Sequence, residues 1–186
     1  MAILTKGLVR PNAKELFGED FINEAEKEKK ITSGNEFLKE YSINDFPFNI
    51  VEFVQGLGIK IKYDDLPNNI SGMLTKEDNA YVIVVEKKHP ANRQRFTIAH
   101  ELAHYFLHKN VKEKFEDAVF FRGSATDSIE FQANLFAGEI LMPKEEFLAQ
   151  IENGKSKIEE LAEYFGVSTL AIRVRAKQLN LQGHGL

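Results

Sequence analysis

Two histidines four residues apart enclose a glutamate in the segment His100-Glu101-Leu102-Ala103-His104. On a helix each residue turns about 100°, so the two imidazoles stand about 40° apart around the axis and about 6 Å apart along it. At that spacing both can converge on one tetrahedral ion. Glu101 lies about 100° round from His100, too far to share the ion easily but well placed to take a proton from water held there. The implied chemistry is zinc-assisted peptide hydrolysis. The chain contains no cysteine, which excludes thiolate metal sites, disulfides and a cysteine nucleophile. A transition-metal site must therefore use histidine and carboxylate.

The flanks of the motif support this reading. Phe96, Ile98, Ala99, Leu102, Ala103, Phe106 and Leu107 cover most of the helix circumference, and a helix that is apolar nearly all round is buried. Its few polar groups then need partners, and a metal supplies them. The competing reading is a pair of helical histidines with ordinary hydrogen bonds. His108 lies about 12 Å along the axis from His100, too far to share one ion with bonds near 2 Å. It is expected as an outer contact of the site, a substrate contact, or a histidine favoured by the helix C-terminus. Glu130 is a better third ligand. Ile129, Ala133, Phe136 and Ile140 form an apolar stripe, and Glu130 and Asn134 lie one turn apart beside it. Asn134 could hold a ligand by hydrogen bonding. Spacing alone leaves a second reading for Glu130, as an acid in the first turn of a helix capped at Thr126 or Asp127.

These residues need elements to position them. Pro47 starts a short helix that Gly58 stops. The stretches at 59–62, 70–75 and 80–85 read as strands, with the last two joined through Lys76-Glu77-Asp78-Asn79 as a hairpin. The metal helix is expected over 91–108. A brief strand or extended segment at 118–121 follows, then helices to about 138 and from Pro143 to about 151. Two last helices cover 156–165 and 168–180. Strands first and helices after is the pattern of an α+β fold. A sheet of about three strands should pack on the metal helix, with a helical hairpin at the C-terminal end. The expected organisation is a poorly defined N-terminal extension over 1–45, a catalytic domain over 46–152, and helix-turn-helix-like helices over 153–186 packed on it.

Taken together, Arg95-Phe96-Thr97-Ile98-Ala99-His100-Glu101-Leu102-Ala103-His104, then Glu130-Phe131-Gln132-Ala133-Asn134-Leu135-Phe136-Ala137, then Ile140-Leu141-Met142-Pro143, resemble the ImmA/IrrE family of metallo-endopeptidases. The resemblance spans roughly residues 46 to 181. It implies a zincin-like fold with Zn²⁺ on His100, His104 and Glu130, with Mn²⁺ as an alternative in activity, and Glu101 as general base and acid. It also implies a protein substrate, a helix-turn-helix repressor encoded nearby, whose cleavage derepresses mobile-element or stress-response genes. Tyr105, His108 and His89 are candidate donors to the developing oxyanion. By analogy with zincins, the strand at 80–85 is the candidate to align substrate as a sheet edge.

The C-terminal helices have the shape of a helix-turn-helix. Gly166 makes the turn and Ser168 caps the second helix. Residues 155–186 hold five basic and three acidic side chains, a net of +2. Arg173 and Arg175 stand about 200° apart and cannot face one groove. Arg173 and Lys177 are the candidate contacts to nucleic acid or repressor, with a structural hairpin favoured over a DNA reader. The overall charge of -4 argues against a protein that coats nucleic acid. The alternative functions are a DNA-binding regulator whose metal site is structural or degenerate, and a toxin-like peptidase of a two-gene module. No run reaches the roughly 18 apolar residues of a membrane span, and Lys6 and Arg10 interrupt any leader-like stretch. A cytoplasmic protein is expected, with no membrane partner. The oligomeric state is not legible.

Overall fold

The ladder that organises the molecule starts at a two-residue turn. Asp78 and Asn79 both take left-handed conformations, with φ of 46° and 66°, the geometry that matches the twist of a tight hairpin. They join β2 (Gly72–Glu77) to β3 (Ala80–Glu86) in antiparallel register, with Glu77 opposite Ala80 and Gly72 opposite Val85. β1 (Lys60–Asp64) lies parallel to β3 on its other side. A short β4 (Phe115–Asp117) pairs with the start of β2, giving the order β1-β3-β2-β4. The computed structural model describes residues 31–67, 70–109, 115–117, 128–155 and 157–181, with the backbone alone at 115–117.

β3 is the interior strand, and Val82 to Glu86 are all buried. This corrects the expectation that it aligns substrate. Val82–Val85 hydrogen-bond to β1 on one side and β2 on the other, so they offer no free edge. β4, at 115–117, joins the three strands expected ahead of the metal helix. Segment 118–121 and the cap at 126–127 lie outside the described residues.

Seven α-helices accompany the sheet among the described residues. α1 (Gly34–Glu40) and α2 (Ile50–Gly56) are capped by Ser33 and Asn49, whose side-chain oxygens accept from the third residue on. α3 (Ala91–Ala103) carries the histidine motif and runs directly into one π-helical turn, His104–His108. α4 (Ser128–Leu141) crosses it, and α5 (Lys144–Glu152) follows after Pro143. α6 (Ile158–Phe165) ends on Gly166 in the left-handed conformation, and Ser168 caps α7 (Thr169–Gln178) by accepting from the Ala171 N–H. Both features of that hairpin agree with the sequence reading. Among the described residues no helix is long and apolar enough to cross a membrane.

α3 sits between the sheet and α4, so every residue from Phe96 to Ala103 is buried. One core joins Leu74, Ile83 and Val85 of the sheet to Ile98 and Leu102 of α3, to Phe136 and Ile140 of α4 and to Phe165 and Ile172 of the last two helices. Each such side chain contributes about 1.5–3 kcal/mol on burial. The core also takes in Phe37 of α1, which is fully buried and meets Tyr41, Phe53, Phe106 and Phe136 at ring separations of 5.0–5.5 Å. Phe37 of α1 and Phe165 and Ile172 of the last two helices thus share one core with the sheet.

Candidate metal centre

The helical spacing of His100 and His104 has the consequence that elementary geometry requires. Their Nε2 atoms face each other at 3.0 Å. α4 brings Glu130 to the same point, with Oε2 3.1 Å from His100 Nε2 and Oε1 3.6 Å from His104 Nε2. Tetrahedral bonds near 2 Å place ligand atoms about 3.3 Å apart. The three donors thus already stand at the separations a zinc-sized ion needs, and among the described residues they form the one such group. The donor set of two neutral imidazoles and a carboxylate is also chemically right for that ion.

The electrostatics agree. Burial opposes ionisation of Glu130, but the adjoining His100 and His104 imidazoles outweigh it and hold the carboxyl far below the usual range. Burial lowers the pKa of His104, which favours the neutral ring that can ligate. The histidines are shut away from solvent while Glu130 remains half-exposed.

Behind the donors stands a set of polar groups. Asn134 Oδ1 lies 3.2 Å from His100 Nδ1 and so accepts from that ring's N–H. His108 does not join the donors. Its Nδ1 is 3.1 Å from His104 Nδ1, and its Nε2 is 3.1 Å from Gln132 Oε1. Glu101 is fully buried on the sheet side of α3, over Gly72. A Cβ at position 72 would stand 2.3 Å from Thr97 Cγ2 and 2.9 Å from Glu101 Oε1, both closer than real contacts allow, so glycine there makes room for the side chains of α3 that face the sheet, Thr97 first and the Glu101 carboxylate with it.

The remaining expected residues lie elsewhere. Tyr105 packs edge-on against Tyr81 of β3 at 4.9 Å, with the Lys109 ammonium over its ring. His89 precedes α3, about 14 Å of helix rise from His100, with its Nδ1 buried in the turn after β3. Arg173 and Lys177 are exposed on α7 with Leu170, whereas Arg175 is buried and donates from Nε to the Met142 carbonyl at 2.9 Å. Gln132 and Gly72 were not legible as site residues. Helical periodicity puts Gln132 about 200° round from Glu130, and only the sheet register places Gly72 under Glu101. The lone glycine at the start of a strand was the one available signal of a close approach.

A mixed sheet laid on a buried helix, with a second helix completing its donor set, is the arrangement of the zincin-like metallopeptidases. The comparisons narrow that class: residues 54–177 match the IrrE N-terminal-like domain of peptidase family M78, and the chain belongs to this family. It is 33% identical over 136 residues to the metallopeptidase ImmA of Bacillus subtilis strain 168, covering 70% of this chain and 76% of that protein. It is 27% identical over 143 residues to the uncharacterized immunity region protein 2 of Bacillus phage phi105, covering 76% and 77%. In fold it resembles a Mycobacterium tuberculosis transcriptional regulator, with a TM-score of 0.53 and 19% identity over 88% of this chain. The present chain spans about half of that regulator, 47% of its length.

Proposed function

We propose that this protein is a zinc-dependent, site-specific endopeptidase that cleaves a helix-turn-helix repressor encoded beside it, and so releases mobile-element or stress-response genes. The observation that carries the reading is the convergence of His100, His104 and Glu130 with Glu101 on the adjoining helical face. A purely structural site would not require a buried carboxylate beside the donors. The similarity to a Bacillus metallopeptidase and to a phage immunity-region protein supports both the chemistry and the setting. The burial of Arg175 leaves α7 fewer cations for a DNA groove, which favours the peptidase over the DNA-reading alternative.

In this mechanism His100, His104 and Glu130 hold the ion. Zinc, when bound, acidifies water toward neutral pKa and polarises a scissile carbonyl. Glu101 takes the proton as the nucleophile forms and passes it to the leaving amine. Asn134 keeps the His100 ring turned with Nε2 toward the donors. Gly72 leaves the Glu101 carboxylate in its buried place.

The test is direct. The purified protein is mixed with the neighbouring repressor and Zn²⁺ or Mn²⁺, and the products are sized by mass spectrometry. One discrete cut is expected, absent with chelator and absent for Glu101→Gln. Cleavage that persists in Glu101→Gln would end the assignment of the catalytic carboxylate. No cut under any metal would end the substrate assignment.

A further inference from the structure

The hydrogen bonds behind the metal site have a direction, and α4 sets it. Gln132 Oε1 is an oxygen and can only accept. His108 Nε2, 3.1 Å away, must therefore carry the proton. A neutral imidazole has one N–H, so His108 Nδ1 is left with a lone pair. The group facing that lone pair is His104 Nδ1 at 3.1 Å, which must be the donor. His104 Nε2 is then unprotonated, and it points at His100 and Glu130. One amide oxygen thus dictates the lone pair two rings away.

The same helix does this for the other ring without a relay, because Asn134 Oδ1 accepts from His100 Nδ1. Within five residues α4 supplies a ligand, Glu130, and two amide oxygens, Gln132 and Asn134. His104 and His108 are both buried, so bulk water does not readily substitute for the missing acceptor. His104 and His108 open and close the π-helical turn, and their rings stand tilted at 52° with centroids 5.2 Å apart.

We propose that His108 and Gln132 are positioning residues for metal binding: together they fix His104 in the tautomer whose Nε2 lone pair faces the ion. This rests on the reading of His104 as a ligand. In the reversed arrangement Gln132 donates from its Nε2, His108 donates from Nδ1, and His104 carries its proton on Nε2, where it blocks the ion. Gln132 is the exposed end of the chain, so the orientation of a surface amide decides whether the buried ring can ligate.

The test measures zinc affinity by competition with a chromophoric chelator, beside imidazole ¹⁵N spectra of the full-length protein. His104→Ala establishes the ligand: affinity unchanged from wild type would overturn the underlying metal reading, not the relay alone. His108→Leu and Gln132→Leu remove the acceptors and should weaken zinc binding about 10–100-fold and several-fold respectively. His108→Asn, which keeps an oxygen near the Nδ1 position, and Gln132→Glu, which keeps an acceptor, should restore most of the affinity. In the zinc-loaded wild type, the spectra should show His104 protonated at Nδ1 and His108 at Nε2. If folded His108→Leu binds zinc within twofold of wild type, or if His108 carries its proton on Nδ1, the proposal is overturned. The spectra decide the matter even if His108→Leu does not fold.

Discussion

Glu101 and Gly72 form a pair in which one residue is the proposed proton acceptor and the other leaves room above the sheet. Glu101→Gln keeps the shape and removes the base. It should bind zinc as wild type does while cleavage falls by a factor of about 10² to 10⁴. Gly72→Ala inserts a Cβ 2.3 Å from Thr97 Cγ2 and 2.9 Å from Glu101 Oε1, so α3 must shift against β2 and the carboxylate must move with it. The expected result is near-normal zinc affinity with cleavage reduced at least about tenfold, because a small misplacement of a catalytic group costs heavily. Equal losses of metal and activity would instead indicate general collapse of the site. The donor residues themselves were legible because their signal is local. His100 and His104 are read from one turn of helix, and Glu130 from the resemblance to a family motif. Gly72 and Gln132 were hidden because their roles depend on which strand lies beneath the helix and which helix crosses above it.

At the level of elements, the same distinction separates what the chain announces from what it withholds. α3 was legible because its apolar residues leave so little polar arc. α1 was not: it is seven residues long, and Gly34-Asn35-Glu36-Phe37-Leu38-Lys39-Glu40 has only two large apolar side chains. Its place is decided by Phe37, which enters an aromatic cluster built from two other helices and the turn after α3. Phe37→Ala should therefore cost about 3–5 kcal/mol, measurable as a lower urea midpoint. A loss under 1 kcal/mol would mean the helix does not belong to the core. The position of β3 was withheld for a related reason. Its run of Val and Ile fits any buried strand, and only the parallel pairing of β1, which no local pattern encodes, makes it interior.

For the whole molecule, stability should respond to pH and to metal. The Tyr164 hydroxyl donates to Glu146 Oε1 at 2.5 Å, and this bond, with burial, pushes the phenol up to about 12. An unfolded tyrosine ionises near 10. Between those values the folded protein keeps a proton that the unfolded chain has released. The contribution is thus whole below pH 10 and is lost as pH rises through 12. Urea denaturation at pH 9 and pH 11 should show a steeper decline for wild type than for Tyr164→Phe, and parallel declines would contradict the bond. Metal acts through mass action. Free zinc at 100 times its dissociation constant adds about 2.7 kcal/mol, so chelation should lower the melting temperature by about 5–10 °C for a chain of this size. A melting curve indifferent to chelator would place the ion outside the folded state.

The three donors are unequally sheltered: the His100 and His104 side chains are 0% and 1% exposed, whereas Glu130 is 37% exposed. That inequality governs traffic as well as affinity. Of the three, the Glu130 carboxylate is the one open to solvent, so it is the group past which an ion would enter and leave. Residence time should then be set at Glu130. Shortening it to aspartate would speed exchange in both directions, while the imidazole pair remained a rigid seat for the next ion.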